Sequence, residues 1–170
     1  MPLFSFSTIG GMRSFKKISK KMSQLDYYVS NYSSSPEALK LVSLGNKAYG
    51  AAIEDIVRES LSLGPRSSSQ NDATFGDRKI EIKAARYWAG KDDCRWQHLE
   101  PDHDYDLVLF VLTDFHELKV WAIKKETLMG ELRDRKIVTF QGKQGWWTTK
   151  KAIMPFLTPI QCPADLAAFA

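Results

Sequence analysis

Apolar residues recur along this chain in distinct rhythms, and each rhythm predicts an element. Over 35–61 the positions Tyr49, Ile53, Ile56, Val57 and Leu61 return at helical spacing. Ser35 is a suitable N-cap with Pro36 at the first helical position. Gly64-Pro65 stops the helix, and Gly45-Asn46 is a candidate break dividing it in two. After the loop "PRSSSQ", the pattern changes to alternation. Two strands, 72–75 and 78–85, flank the turn "FGDR", with Ile80, Ile82 and Ala84 on one face and Glu81 and Lys83 on the other. Residues 87–105 carry aromatic and polar side chains without a period, which reads as an irregular loop of the kind that binds ligands.

Continuous apolarity follows in "DLVLFVL", 106–112, as expected of a central strand covered on both faces. "TDFHE" then turns the chain into a second strand, "LKVWAI". "KKETLMGELRDR" reads as a short helix, and "IVTFQGKQGWWTTKK" as a hairpin bending at Gly142 and Gly145. The order of elements predicts a mixed α/β fold: one central mixed β-sheet flanked by helices, plus a C-terminal β-hairpin region. Residues 1–34 are expected to form a flexible basic N-terminal segment and residues 35–170 a single domain.

Composition narrows the class. At 44% apolar and 26% charged, the 170 residues fit a globular protein better than a disordered chain. No apolar run reaches the length of a membrane span. Cys94 and Cys162 follow no metal-binding spacing, and two thiols in a chain of this size suggest a reducing, intracellular (cytoplasmic) setting. The net charge of +4 is a property of one end. Arg13, Lys16, Lys17, Lys20 and Lys21, with no acid among the first 25 residues, give that stretch +5 and leave −1 for the rest. That stretch has the composition of a transit peptide; a start upstream of Met12 or Met22, or a basic arm touching nucleic acid, would read the same. Elsewhere charge is segregated. Residues 92–117 hold eight acids against Arg95 alone, and 119–151 hold nine bases against Glu126, Glu131 and Asp134. A phosphate-binding, metal-binding protein could use such segregation, and so could plain solvated faces.

The chemistry lies in "NDATFGDRKIEIKAA", 71–85. A hairpin turning near Gly76-Asp77 lays the first strand along the second and brings Asp72 near the Glu81–Lys83 end. Two carboxylates from adjacent strands make a hard-oxygen site suited to Mg²⁺, with Mn²⁺ as a substitute. Such an ion would neutralise a scissile phosphate and help generate hydroxide, while a neighbouring lysine holds water or phosphate charge. The bland readings are a turn cap for Asp72, a cross-strand ion pair for Glu81 and Lys83, and a simple turn residue for Asp77. E-x-K is a weak motif, and the chain carries a second, Glu117-Leu118-Lys119, after Asp106 and Asp114. The first is preferred, because Glu117 belongs to a turn and no acidic helix directly precedes that hairpin.

"ND" at 71–72 followed by "EIK" at 81–83 resembles the PD-(D/E)xK signature of the restriction-endonuclease-like nuclease superfamily, with Asn71 in place of the proline. The preceding helix "GNKAYGAAIEDIVRESL" is similar to the one that supplies a further acid in many members. Glu54 is the match, with Glu59 as an equal-looking alternative. "RWQHLEPDHDYDLVLFVL" resembles the loop and third core strand of small type II restriction endonucleases, where residues just before the strand touch DNA; Gln97 and His98 hold that place. The resemblance spans 36 to about 125. It implies a restriction-endonuclease-like fold and a Mg²⁺-dependent endonuclease acting on double-stranded DNA as a homodimer, with Asp72 and Glu81 on the metal, Lys83 positioning water or phosphate, and Glu54 assisting.

Sequence-specific restriction is favoured by the polar loop at 86–105 and the extra hairpin, both available for base reading. Arg86, Lys143 and Lys150 are candidate DNA contacts, and the Trp146-Trp147 pair offers either stacking surfaces or core. A structure-specific junction or repair nuclease of the same fold, a non-catalytic DNA-binding module, and an interaction protein whose hairpin charges are only surface pairs are the alternatives.

Overall fold

The computed structural model describes residues 22–31 and 33–170. Its centre is a five-stranded mixed sheet of strands β1 (Ala73–Phe75), β2 (Arg78–Arg86), β4 (Leu107–Thr113), β5 (Leu118–Lys124) and β8 (Thr158–Pro159), in the order β1-β2-β4-β5-β8. The β2–β4 pair is parallel and the other neighbours are antiparallel. All seven residues of β4 are buried, as a continuously apolar strand requires. Leu107, Leu109 and Val111 face a cluster built on helix α3 (Asn46–Ser60) through Tyr49, Ile53 and Val57. Val108, Phe110 and Leu112 face the opposite layer with Trp96.

The break at Gly45-Asn46 is real: α2 (Pro36–Val42) ends before α3 begins, and the Ser35 side chain accepts from Ala38 N as an N-cap. The second helical segment also divides, into α4 (Lys125–Met129) and α5 (Glu131–Asp134). Gly130 marks the joint, where a Cβ would lie 2.5 Å from the Glu126 carbonyl oxygen, so only glycine fits. Strands β6 (Thr139–Phe140) and β7 (Trp146–Thr149) form the expected C-terminal hairpin, with Gly142 and Gly145 at positive φ in its bend. A short helix, α6 (Lys150–Ile153), and β8 complete the chain's return to the main sheet.

Two expectations need correction. The stretch 87–105 is not wholly irregular. It contains β3 (Arg95–Leu99), which joins β7 and β6 in a second, three-stranded sheet. A bulge between Trp96 and Leu99 puts the two buried residues of β3 three positions apart, which erases the alternation that would have revealed a strand. Trp96 is fully buried against Phe110, and its indole N–H donates to Val111 O at 3.0 Å. Left unpaired, that N–H would cost about 1–3 kcal/mol.

The ordered domain also begins before residue 35. Ser23 caps a short helix, α1 (Gln24–Ser30), with a reciprocal bond to Asp26. Tyr28 is fully buried; its hydroxyl donates to Thr113 O and accepts from Tyr87 N. Tyr27, Tyr28, Tyr87 and Phe115 form one aromatic cluster around it. The expected flexible segment therefore fails for 23–31, and its first 21 residues lie outside the described ones. Among the described residues no helix is long and apolar enough to cross a membrane, and Cys94 and Cys162 are unbridged.

Candidate metal and nucleic-acid site

Hairpin register builds the site. Ala73 pairs with Ile80, and the ladder continues one residue further because Asp72 N donates to Ile80 O at 2.9 Å. Beyond that point β1 offers no more backbone. The Asp72 side chain takes its place: Oδ2 accepts from Ile82 N at 2.8 Å. Asp72 is thus pinned against the backbone of the E-x-K segment, and its Oδ1 carries no protein hydrogen bond among the described residues. Lys79 O accepts from Asp106 N on the β4 side, so the alternate residues Ile80 and Ile82 turn their backbone groups toward β1. The Ile82 carbonyl consequently faces the same edge as the Asp72 carboxylate.

Glu81 is 6% exposed, and Lys83 Nζ lies 2.6 Å from its Oε1. Burial pushes the Glu81 carboxyl up from its ordinary value; the lysine pulls it down without cancelling the shift, and the Asp72 charge adds to the rise. On α3, the half-buried Glu54 is also pushed up, first by burial and then by Asp72, with Glu81 adding a smaller share. Three carboxylates from three elements therefore feel one another's charge. They do not close into a cage: among the described residues no three His, Cys, Asp or Glu side chains group as a metal site by themselves. Two carboxylates and a main-chain carbonyl suit a hard divalent cation that keeps several waters, as Mg²⁺ does. The donor set fits the ion expected from sequence.

Beside the hairpin runs a groove of about 580 Å³. It is lined by Glu54, Lys83, Arg86, Gln97 and His98, all expected site residues, and by Lys47, Arg95 and Trp88. Four cations against one acid give it a positive field suited to a phosphate backbone. Glu54 is distinguished from Glu59 by geometry: Lys47, Gly50 and Glu54 share one helical stripe facing the groove, whereas Glu59 is exposed elsewhere. His98 adopts φ 55°, a left-handed conformation imposed by the bulge, and this brings consecutive residues 97 and 98 to the same groove.

Other expected residues are placed differently. Lys150 is paired with Asp92 at 2.8 Å, has a side chain only 17% exposed, and stands off the groove. Lys143 is exposed at the β6–β7 bend, also off the groove. Trp146 and Trp147 are half-buried under Arg133 and Arg95, respectively, so these faces are already covered. Arg86 lines the groove, but its guanidinium donates to Val42 O, Leu44 O and Asn46 Oδ1. It supplies field and holds structure, with its fork committed inside the protein. Asp77 is exposed in the turn beside Gly76, as a plain turn residue would be.

The rival E-x-K is a satisfied structural pair. Asp114 lies 2.9 Å from Lys119 and accepts from Tyr87 Oη and Phe115 N. Burial raises its carboxyl, but these partners outweigh burial and hold it below the ordinary aspartate value. Sequence reasoning missed Lys47, Arg95 and the buried Tyr105. Lys47 could have been found by its helical spacing from Glu54. Neither the family models nor the curated proteins compared with this chain give a match.

The shifted carboxyls predict a pH profile. Glu54 and Glu81 bind their protons more tightly folded than unfolded, so stability falls as pH rises from the ordinary glutamate value through their raised ones. Asp114 acts oppositely, and its contribution is lost as pH drops through its lowered value. In EDTA, urea denaturation should show stability declining from mildly acidic pH toward neutrality. Saturating Mg²⁺ should remove that decline, because the ion stabilises the ionised forms.

Proposed function

We propose that this protein is a Mg²⁺-dependent endonuclease of restriction-endonuclease-like fold that hydrolyses phosphodiester bonds in double-stranded DNA. The observation that carries the reading is the hairpin register, which pins the Asp72 carboxylate on the Ile82 N–H beside the buried Glu81–Lys83 pair, along a groove rich in cations. Asp72, Glu81 and the Ile82 carbonyl would hold the ion. When bound, it supplies charge neutralisation at the scissile phosphate and polarises an attacking water.

The chain's own residues do the rest. Lys47, Lys83 and Arg95 draw the phosphate backbone into the groove. Lys83 then positions the attacking water or a phosphate oxygen at the reacting phosphorus. Glu54, kept easy to protonate by burial, can hold a proton at the edge of the site. Gln97 and His98 stand where a base edge would meet the bulge of β3, which favours sequence-specific cutting. Each chain provides one such site, so cutting both strands calls for two copies arranged about a two-fold axis.

Incubating the full chain with supercoiled plasmid, with Mg²⁺ or with EDTA, tests the reading. Metal-dependent cutting at discrete positions, located by end sequencing, is expected. A smear, or cutting confined to branched DNA, would instead identify a structure-specific nuclease. Unchanged plasmid with metal-independent DNA binding would identify a non-catalytic binding module.

A further inference from the structure

Tyr105 lies at the entry to β4, with its side chain 3% exposed and its hydroxyl oxygen closed off from solvent. That hydroxyl has no hydrogen-bond partner in the protein. The ring is fixed: Lys125 Nζ stands 4.5 Å from its centroid and donates to His103 O, while Tyr105 N also donates to His103 O. Phenylalanine would pack here equally well and would leave no polar atom stranded, so core packing alone does not account for the hydroxyl. The charges acting on the phenol are those of Glu81 first and Glu100 second. Glu81 and Tyr105 belong to the same layer, on the face of the sheet that carries Val108 and Phe110. In the metal-free arrangement Glu81 Oε1 is held by Lys83.

We propose that Tyr105 is a positioning residue for Glu81, donating its hydroxyl hydrogen to the carboxylate once Glu81 exchanges Lys83 for a divalent cation. This rests on the reading of Glu81 as a metal ligand. The hydroxyl is stranded in one state of the site and satisfied in the other. Its hydrogen bond would orient Glu81 and offset part of the cost of giving up the lysine. Lys83, released from the carboxylate, is then free to turn into the groove that it already lines.

Tyr105→Phe in the full chain removes one oxygen and keeps the ring. Mn²⁺ titration by calorimetry should show affinity weakened about tenfold or more, the usual effect of losing a partner that orients a metal ligand. In EDTA the variant should melt at the wild-type temperature or above it, since a stranded hydroxyl has gone. Cleavage kcat should fall while the DNA Kd in Ca²⁺ stays unchanged, a split that a loss of packing would not produce. Wild-type Mn²⁺ affinity in Tyr105→Phe would overturn the proposal. Glu81→Ala separates the two failures. If it abolishes Mn²⁺ binding while Tyr105→Phe leaves it intact, only the role of Tyr105 is lost. If Mn²⁺ binding survives Glu81→Ala as well, the metal reading falls with it.

Discussion

Lys83→Ala is expected to slow DNA cleavage by about a hundredfold to a thousandfold, the usual cost of removing one preorganised charge from a reacting phosphate or carbonyl. Binding should suffer far less. Lys83 is one of four cations lining the groove, and losing one phosphate contact lowers the salt slope of log K by about 0.9 at most. Single-turnover cleavage in Mg²⁺ and DNA titration in Ca²⁺ separate the two quantities.

The same substitution leaves a buried carboxylate without its partner. A fully buried, fixed pair loses about 3–5 kcal/mol when one member is removed. The cost here should be smaller, because the Lys83 side chain keeps 20% of its exposure and Glu81 can take up a proton. A melting temperature in Mg²⁺ close to wild type would show that lost cleavage is not lost folding. Glu117→Ala is the control for the competing motif, because Glu117 lies in the turn after the self-satisfied Asp114–Lys119 pair. It should cut at the wild-type rate. An inactive Glu117→Ala beside an active Glu81→Ala would move the chemistry to the other hairpin.

The contrast between these two motifs shows what a sequence can disclose. Asp72, Glu81 and Lys83 were readable together because they lie within one hairpin, and the register of a short hairpin is set locally by its turn. Helix α3 and strand β4 were readable because their apolar periods are unbroken. The opposite wall of the groove was not. β3 pairs with a strand some fifty residues later, and its bulge spaces Trp96 and Leu99 against the strand period. α1 escaped notice because its seven residues expose Leu25 and Val29 and bury Tyr28, so the pattern carries no clear apolar face.

Basic residues were the least legible. Lys150 and Arg95 look alike in sequence. Their roles differ because Asp92, 58 residues away from Lys150, neutralises it, whereas Arg95 lies over Trp147 at the groove. Charge is read residue by residue, but its use depends on partners that only the fold brings in.

Arg86→Ala should be among the most destabilising single changes on this surface, at about 2–4 kcal/mol. One guanidinium nitrogen donates to Val42 O and Leu44 O, both at 3.0 Å, and the other to Asn46 Oδ1 at 2.5 Å. Val42 ends α2 and Asn46 begins α3, so a single side chain closes the carbonyl end of one helix and ties down the start of the next. A cation at a helix C-terminus is favoured by the dipole as well. The guanidinium also lies 4.4 Å from the centroid of the Tyr49 ring, whose hydroxyl donates to Ala85 O and shares a hydrogen bond with Thr113 Oγ1.

For a chain of this length each kcal/mol moves the melting temperature by about 2–4 °C, so a fall of about 4–16 °C is expected in a thermal scan. Arg86→Lys keeps the charge in the groove but lacks the planar fork that spans three acceptors. It should restore most of the DNA affinity lost in the alanine variant and only part of the stability. The reverse result, a wild-type melting temperature with DNA binding still impaired, would mean that the fork of Arg86 serves the nucleic acid rather than the junction between α2 and α3.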